Sequence, residues 1–265
     1  VFQFDLFGNR YTIFGHGRCA KRLVQNNVTT LRAECYLHRI GEDIDAAQAL
    51  RARAFGLVQP RDIDGFDAQK HHILVRHQGS GDLLCCYRIG LMEGASLDQS
   101  YAAQFYDLTK LTYFPGAMME LGRFCLAPGV TDPDVVRMAW AALAQFVDAH
   151  TVALLFGCTS FKGTDPAPYS DVMALLHSRH LAPLQWQPQV KAPDTVGFVE
   201  RRLDKPAEKA ALQMLPPLLR SYLMMGGWVS DHAVIDHQMN TLHVFTGLEI
   251  AAIPEGRKRL LRGAA

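Results

Sequence analysis

AMMELGRFCLAPGVTDPDVVRMAWAALAQFVDAHTVALLFG, residues 117–157, holds three hydrophobic patterns in a row. Ala117 to Leu126 is an apolar run of strand length, interrupted by Glu120 and Arg123. Asp132-Pro133 reads as a helix start, a capping carboxylate followed by proline at the first helical position. Val135, Met138, Ala139, Ala142, Leu143 and Phe146 then recur at helical spacing up to His150. Val152 to Gly157 reads as a short buried strand. Strand, helix, strand over so few residues implies parallel pairing through a right-handed crossover. The class is therefore mixed α/β, with helices on both faces of a sheet.

Working outward, Phe2, Phe4 and Leu6 alternate with Gln3 and Asp5, Gly8-Asn9 is a turn signal, and Tyr11 to Phe14 returns as a second strand. Leu31 to Arg39 is a further strand or extended entry. Asp45 is placed to cap a helix running to Phe55, with Gly56 as terminator. Residues 57–70 read as a polar loop rich in Asp. A hairpin follows, His72 to His77 and Leu83 to Leu91, joined by Gln78-Gly79-Ser80-Gly81-Asp82. Residues 94–114 have no clear period. On the C-terminal side the pattern predicts a helix from Tyr169 to His180, strands near Gln185–Val190 and Thr241–Ile250, and a helical insertion over 207–228. No repeat, low-complexity tract or linker is visible, so residues 1–265 are expected to form a single domain.

Composition excludes several classes. With 265 residues, 49% hydrophobic and 20% charged, the chain is neither disordered nor fibrous. A formal net charge of +1 lacks the basic excess of a nucleic-acid binder. Local basic clusters remain at Lys21-Arg22, Arg201-Arg202-Lys205 and Arg257-Lys258-Arg259 with Arg262, each first of all a solvated surface. The six cysteines contain no C-x-x-C and the histidines no H-E-x-x-H, so no metal site or disulfide framework is expected. Cys85 and Cys86 should face opposite ways on a strand, and the thiols read as buried small hydrophobes in a reducing cytoplasm. No segment is long and apolar enough to span a bilayer; Leu212 to Trp228 comes nearest but contains Pro216, Pro217 and Arg220. No signal peptide is visible, a weak observation in a chain that begins at Val1.

Three sets of residues carry chemistry. Glu120 and Arg123 are ionisable groups inside an apolar strand, where they must be paired, face a cleft, or brace the core as an ion pair. Gly122 between them is a candidate bulge that would bring both to one side. The second set is Asp62, Asp64 and Asp67. D-x-D-G hints at a calcium loop, but the closing glutamate of an EF-hand is absent; receiving a cationic amine and forming a solvated turn are the other readings. The third set is Arg51 on the first helix and Arg88 on a hairpin strand, whose donors need partners.

Together these segments carry a resemblance. Leu50-Arg51-x-x-Ala54-Phe55, Asp62-x-Asp64-x-Phe66-Asp67, Cys86-Tyr87-Arg88, Glu120-Leu121-Gly122-Arg123-Phe124-Cys125 and Gly157-Cys158-Thr159-Ser160-Phe161 resemble the bacterial ornithine-lipid N-acyltransferases of the GNAT superfamily. So do Leu215-Pro216-Pro217-Leu218-Leu219-Arg220-x-Tyr222-Leu223, Gly226-Gly227 and Asn240-Thr241, so that the likeness runs over roughly residues 31–250. The scaffold is also similar to acyl-homoserine-lactone synthases through Arg51, Asp64, Asp67, Arg88, Glu120 and Arg123.

The resemblance implies a GNAT-like mixed central sheet and transfer of a 3-hydroxyacyl chain from acyl carrier protein to the α-amine of ornithine or a related amino acid. The product would be a lyso-ornithine-type aminolipid, the first step of aminolipid biosynthesis, with no cofactor beyond the phosphopantetheine thioester. Glu120 and Arg123 are then the catalytic candidates, with Glu120 as base. Arg51, Asp64, Asp67 and Arg88 are the substrate-binding candidates: Arg88 or Arg123 for the amino acid carboxylate, Asp64 or Asp67 for a side-chain ammonium or for ordering a loop. CoA-dependent relatives cradle pyrophosphate on a glycine-rich turn; Leu126 to Pro133 has one glycine, two prolines and an acid at the cap, which favours a carrier-protein donor. The basic clusters suit an acidic carrier protein, or an anionic inner-membrane surface touched peripherally, and Leu212 to Trp228 is either an apolar surface for lipid or a buried core helix. The competing expectations are an acyl-homoserine-lactone-type synthase and a non-catalytic haemolysin-like binding protein. Residues 56–70 lack the tryptophan the former pattern leads one to expect.

Overall fold

A computed structural model describes residues 3–6, 9–14, 18–19, 33–38, 44–199 and 207–263. In chain order its elements are β1 (Gln3–Leu6), β2 (Asn9–Phe14), β3 (Arg18–Cys19), β4 (Ala33–His38), α1 (Asp45–Phe55), β5 (His71–His77), β6 (Leu83–Met92), β7 (Tyr106–Asp107), β8 (Ala117–Leu126), α2 (Pro133–Ala149) and β9 (Val152–Lys162). There follow α3 (Ser170–Arg179), β10 (Gln189–Val190), β11 (Thr195–Gly197), α4 (Glu208–Met214), α5 (Pro217–Met224), β12 (Trp228–Val229), β13 (His232–Asp236), β14 (Thr241–Glu249) and α6 (Glu255–Gly263). The chain divides into two compact units: Val1–Gly90, Leu121–Ala149 and Lys258–Ala265 form the first, and Leu91–Glu120 with His150–Arg257 form the second.

In the first unit, antiparallel pairing runs from β1 through β2, β3, β4 and β5 to β6. The amide of Ala127, just past β8, donates to Leu84 O at 2.8 Å. Alternation along the strands places a helix on each face. Cys86 and Cys125 turn to α1, where they pack with Ala47, Leu50 and Leu74. Tyr87 and Phe124 turn the other way and stack with ring centroids 5.3 Å apart. There the Tyr87 hydroxyl donates to Ala139 O of α2 at 2.8 Å, and Phe124 packs on Trp140.

In the second unit, β8 and β9 pair in parallel from Ala117 to Glu120, as the strand–helix–strand pattern predicts. Antiparallel pairs then carry the sheet from β9 to β14, β13 and β11, which makes it mixed. One face bears Met118, Leu154, Phe156, Val234 and Phe245, covered by turns within residues 92–114. The opposite face bears Phe161, Leu242 and Val244, covered by Val172, Met173, Leu175 and Leu176 of α3, Ala211 of α4 and Leu219 of α5. Burial of each large aliphatic or aromatic side chain contributes about 1.5–3 kcal/mol, so these two layers hold the unit together.

Several local expectations are met. Asp132 accepts the amide of Asp134 at 2.8 Å and caps α2, which begins at Pro133. Gly56 closes α1 at φ 67. The 207–228 segment is helical, as α4 and α5, and its buried Leu215, Leu219, Tyr222 and Trp228 lie in the core while Leu212, Met214 and Met224 stay exposed. Others need correction. Asp45 is the first helical residue rather than the cap, and its carboxylate pairs with Arg61 at 2.5 Å. The strand expected over Gln185–Val190 shrinks to β10, because Pro188 has no amide to donate to a ladder. β9 runs on through Gly157 to Lys162, since that glycine keeps its ladder partner Thr246. β13 went unrecognised, its five residues being too short to display a period.

Candidate active site

The first unit sets three aspartates against three arginines, with Asp62, Asp67, Arg51 and Arg88 buried and Asp64 and Arg123 partly exposed. On α1, Gln48 and Arg51 are three residues apart and share the inner face. The loop after α1 is tied back to it by the Asp62 amide, which donates to Gln48 O at 3.0 Å. Arg51, only 1% exposed, grips Asp67 bidentately, with Nη1 to Oδ1 at 2.8 Å and Nη2 to Oδ2 at 2.6 Å. Arg51 Nε lies 3.0 Å from Asp62 Oδ2, and Arg51 Nη2 also donates to Asp62 O. Gln48 Nε2 donates to Asp67 Oδ2 at 2.9 Å.

The strands supply the other two arginines. Arg88, two residues beyond Cys86, points to the α1 side; its Nη1 donates to Asp64 Oδ1 at 2.5 Å and Asp67 Oδ1 at 3.0 Å. Arg123, two residues before Cys125, donates from Nε to Asp62 Oδ2 at 2.9 Å and from Nη2 to Asp64 Oδ2 at 3.2 Å. The Arg88 and Arg123 guanidinium carbons lie 5.5 Å and 5.9 Å from the ring centroids of Phe66 and Phe55. His72 Nε2 sits 3.1 Å from Asp67 O.

Electrostatics follow from this geometry. Burial alone raises the Asp67 carboxyl, but the Arg51 hydrogen bonds and charge, joined by Gln48 and Arg88, outweigh it and hold the group well below the usual carboxylate range. Burial acts against Asp64 in the same way and is overcome by Arg88 and Arg123, so its carboxyl too is lowered. Burial would lower the Arg51 guanidinium, and Asp67 more than reverses that. For His72, burial wins and lowers the imidazole. The acidic loop is thus neither a solvated turn nor a calcium loop. Asp62 and Asp67 are 6% and 7% exposed and bound by guanidinium groups, and no cluster of metal-ligating side chains occurs among the described residues.

The backbone irregularity in β8 falls at Arg123, with φ 55, and not at the expected Gly122. A left-handed conformation costs a non-glycine residue about 1–2 kcal/mol, and the two aspartates gripped by its side chain hold it there. Arg51, Asp64, Asp67, Arg88 and Arg123 therefore come together as the sequence motifs imply. Asp62 is an equal member, and Gln48 and His72 are members that the sequence reading missed; a polar residue three before Arg51 on an apolar helix face was the available signal.

Glu120 belongs to the second unit and is 4% exposed. Its Oε1 accepts the Ala102 amide at 2.9 Å and its Oε2 the Tyr101 amide at 3.1 Å. These amides open the short turn Ala102–Gln104, steadied by Ser100 Oγ, which accepts the Ala103 amide at 3.1 Å. The carboxylate is held in one orientation by two donors on the segment that covers the sheet.

Residues 47–141 match the family described as Acetyltransferase (GNAT) domain. The L-ornithine N(alpha)-acyltransferase of Rhodobacter capsulatus is 31% identical over 243 residues, 85% of this chain and 93% of that protein. The enzyme of the same name from Agrobacterium fabrum is 28% identical over 91% of this chain and 93% of its own length. The chain belongs to the L-ornithine N(alpha)-acyltransferase family. Among solved structures, the acyl-homoserine-lactone synthase LasI is similar at 15% identity and a TM-score of 0.44, covering 88% of this chain and 96% of its own.

Proposed function

We propose that the protein transfers a 3-hydroxyacyl group from acyl carrier protein to the α-amine of ornithine or a related amino acid, the first step towards an aminolipid. The observation that carries this reading is the relationship to L-ornithine N(alpha)-acyltransferases over most of both chains. Glu120 is the base. An amine attacks only when neutral, and an oriented carboxylate can take the ammonium proton directly or through water. Nitrogen then bonds to the thioester carbonyl carbon, and the C–S bond breaks as the tetrahedral oxyanion collapses; of the two protons that the ammonium loses on its way to the amide, the one held by Glu120 goes to the departing thiolate and the one shed by the bonded nitrogen goes to solvent.

In the arginine–aspartate network, Arg51 and Asp67 are the deep support. The Asp64 and Arg123 side chains, at 21% and 12% exposure, form its accessible edge. There Asp64 answers an ammonium of the amino acid, and Arg123 or Arg88 its carboxylate. Asp132 supports a carrier-protein donor, since its carboxylate takes an amide at the N-terminus of α2 that a pyrophosphate would need. The basic clusters around residues 201–205 and 257–262 suit an acidic carrier protein and an anionic membrane surface near which the amphiphilic product forms. No helix among the described residues is long and apolar enough to cross a membrane.

The test is to incubate purified protein with 3-hydroxyacyl-carrier protein or the matching acyl-CoA and a panel of amino acids, and to identify products by mass spectrometry. Acylated ornithine or a close relative formed from the carrier-protein donor is the expected result. Formation of a lactone, or of no amide with any amine, overturns the reading.

A further inference from the structure

The covered face of the second unit carries three ring nitrogens that hydrophobic packing does not explain. Trp228 Nε1, His232 Nε2 and His243 Nε2 are buried, on residues 6%, 2% and 2% exposed, and have no hydrogen-bond partner among the described residues. They surround one aromatic group. Tyr106 lies 5.2 Å from His232 and 5.6 Å from His243 between ring centroids, and Trp228 stacks on Phe245 at 5.9 Å. An unsatisfied polar atom in so apolar a setting costs about 1–3 kcal/mol, which calls for a partner beyond the described residues, a buried water or a ligand.

The hydrogen bonds define what that partner must offer. The Tyr106 hydroxyl donates to His243 O at 2.9 Å, and its oxygen lies 3.1 Å from His243 Nδ1. One hydroxyl hydrogen cannot serve both, so Nδ1 carries the imidazole proton and Nε2 presents a lone pair. Burial pushes the His243 imidazole down to about 4, so the ring is neutral at ordinary pH. His232 Nδ1 lies 2.7 Å from Asp231 Oδ1 on the same face. An acceptor in an apolar surround selects a ligand that brings a donor on a greasy frame, which describes a hydroxylated acyl chain.

Register places this acceptor on the side of Glu120. Glu120 pairs with Phe156, Phe156 with Gly247, and His243 lies four residues before Gly247, all on one face. Gly247 leaves the space that the Trp228 ring fills, since a Cβ there would collide with the indole. Strand geometry separates the Glu120 and His243 Cα atoms by about 16 Å, with both side chains rising from the same face. Tyr101, whose amide holds Glu120, packs on Phe105 at 5.4 Å, and Phe105 meets the His243 ring edge-on at 4.8 Å.

We propose that His243 is the specificity residue for the acyl donor, its Nε2 accepting the hydroxyl hydrogen of the 3-hydroxyacyl chain. This rests on the acyltransferase reading above. The experiment compares kcat/KM of the intact enzyme for 3-hydroxyacyl-, 3-oxoacyl- and unsubstituted acyl-carrier protein of one length, in wild type, His243→Phe and His243→Gln. Wild type is expected to prefer the hydroxyl at least tenfold over the ketone, which has an oxygen but no donor. His243→Phe should reduce that ratio to about threefold or less, and His243→Gln, which keeps an acceptor near the same point, should restore part of it. If His243→Phe fails to fold, the wild-type ratio still decides: equal use of hydroxyl and ketone overturns the assignment. An unchanged ratio in a folded His243→Phe also overturns it and leaves a buried water as the partner of Nε2. Transfer without discrimination sinks this assignment alone, whereas no transfer from any thioester sinks it together with the function.

Discussion

The two units each hold a buried polar cluster, and the two clusters differ in how far their partners are supplied. In the first, every carboxylate oxygen of Asp62, Asp64 and Asp67 for which a contact is described meets a guanidinium, an amide or a carboxamide. In the second, the Trp228, His232 and His243 rings are sunk among aromatics, each with a nitrogen that meets no partner among the described residues. A closed network holds backbone, because a charge can be buried only when its partner is fixed. An open nitrogen holds nothing until a ligand comes. The first unit's cluster thus stabilises the loop over residues 57–70 and presents an edge, whereas the second unit's cluster is a site in waiting.

The largest test of that contrast is Arg51→Met. It leaves Asp62 and Asp67 buried without their chief partner and should cost about 3–5 kcal/mol by urea unfolding. Adding Asp67→Leu should return a good part of the loss; if the single change costs under about 1 kcal/mol, the network is not structural. Next comes Glu120→Gln, expected to cut turnover about 100-fold or more while circular dichroism stays native. Its stability should drop by only about 1–2 kcal/mol, because the carboxamide NH2 then opposes one of the two amides.

Acid separates the two clusters as well. The folded His243 pKa of about 4 lies below the unfolded value near 6.5, so as pH falls between them the unfolded chain binds the proton first. Stability present above pH 6.5 is therefore lost towards pH 4, by about 2 kcal/mol at pH 5, and His72 adds in the same direction. Asp64 and Asp67 also have depressed values, so their contribution is complete above about pH 4 and is lost only below it. His243→Phe should flatten the unfolding free energy between pH 7 and 5, and an unaltered slope would refute the buried neutral ring. The smallest effect belongs to Trp228→Phe, which removes an unpaired donor while keeping a ring over Gly247. Relief of the unpaired donor partly offsets the cavity that the smaller ring leaves, so the net shift should stay within about 1 kcal/mol, and a loss above about 3 kcal/mol, more than the cavity explains, would mean that the indole N–H has a partner after all.

How far the sequence could be read depended on distance along the chain. The start of α2 was legible because Asp132 and Pro133 act on neighbouring amides. The 71–92 hairpin was legible because Gly79 and Gly81 punctuate two largely apolar runs of strand length. Glu120 and Arg123 were legible as misfits, since a charge in an apolar strand is conspicuous anywhere. Their partners were not. Arg123 meets Asp62 across 61 residues, and Tyr106 meets His243 across 137, with nothing local to signal either pairing. The turns over residues 94–113 have no hydrophobic period because they are 3-10 segments of three to six residues, too short to show one.

By itself the order of residues determined the class of fold and the parallel β8–β9 pair, and it marked Arg51, Asp64, Asp67, Arg88 and Arg123 as side chains that carry chemistry. Periodicity, caps and the cost of burying charge all act within a few residues, or on one residue alone. Only the tertiary structure decided that those aspartates are closed off by guanidinium groups, that Glu120 is steadied by the amides of Tyr101 and Ala102, and that His243 shares its face of the sheet. Those outcomes depend on strand register and on which face each strand turns inward, and register is settled by pairing between segments far apart in the chain.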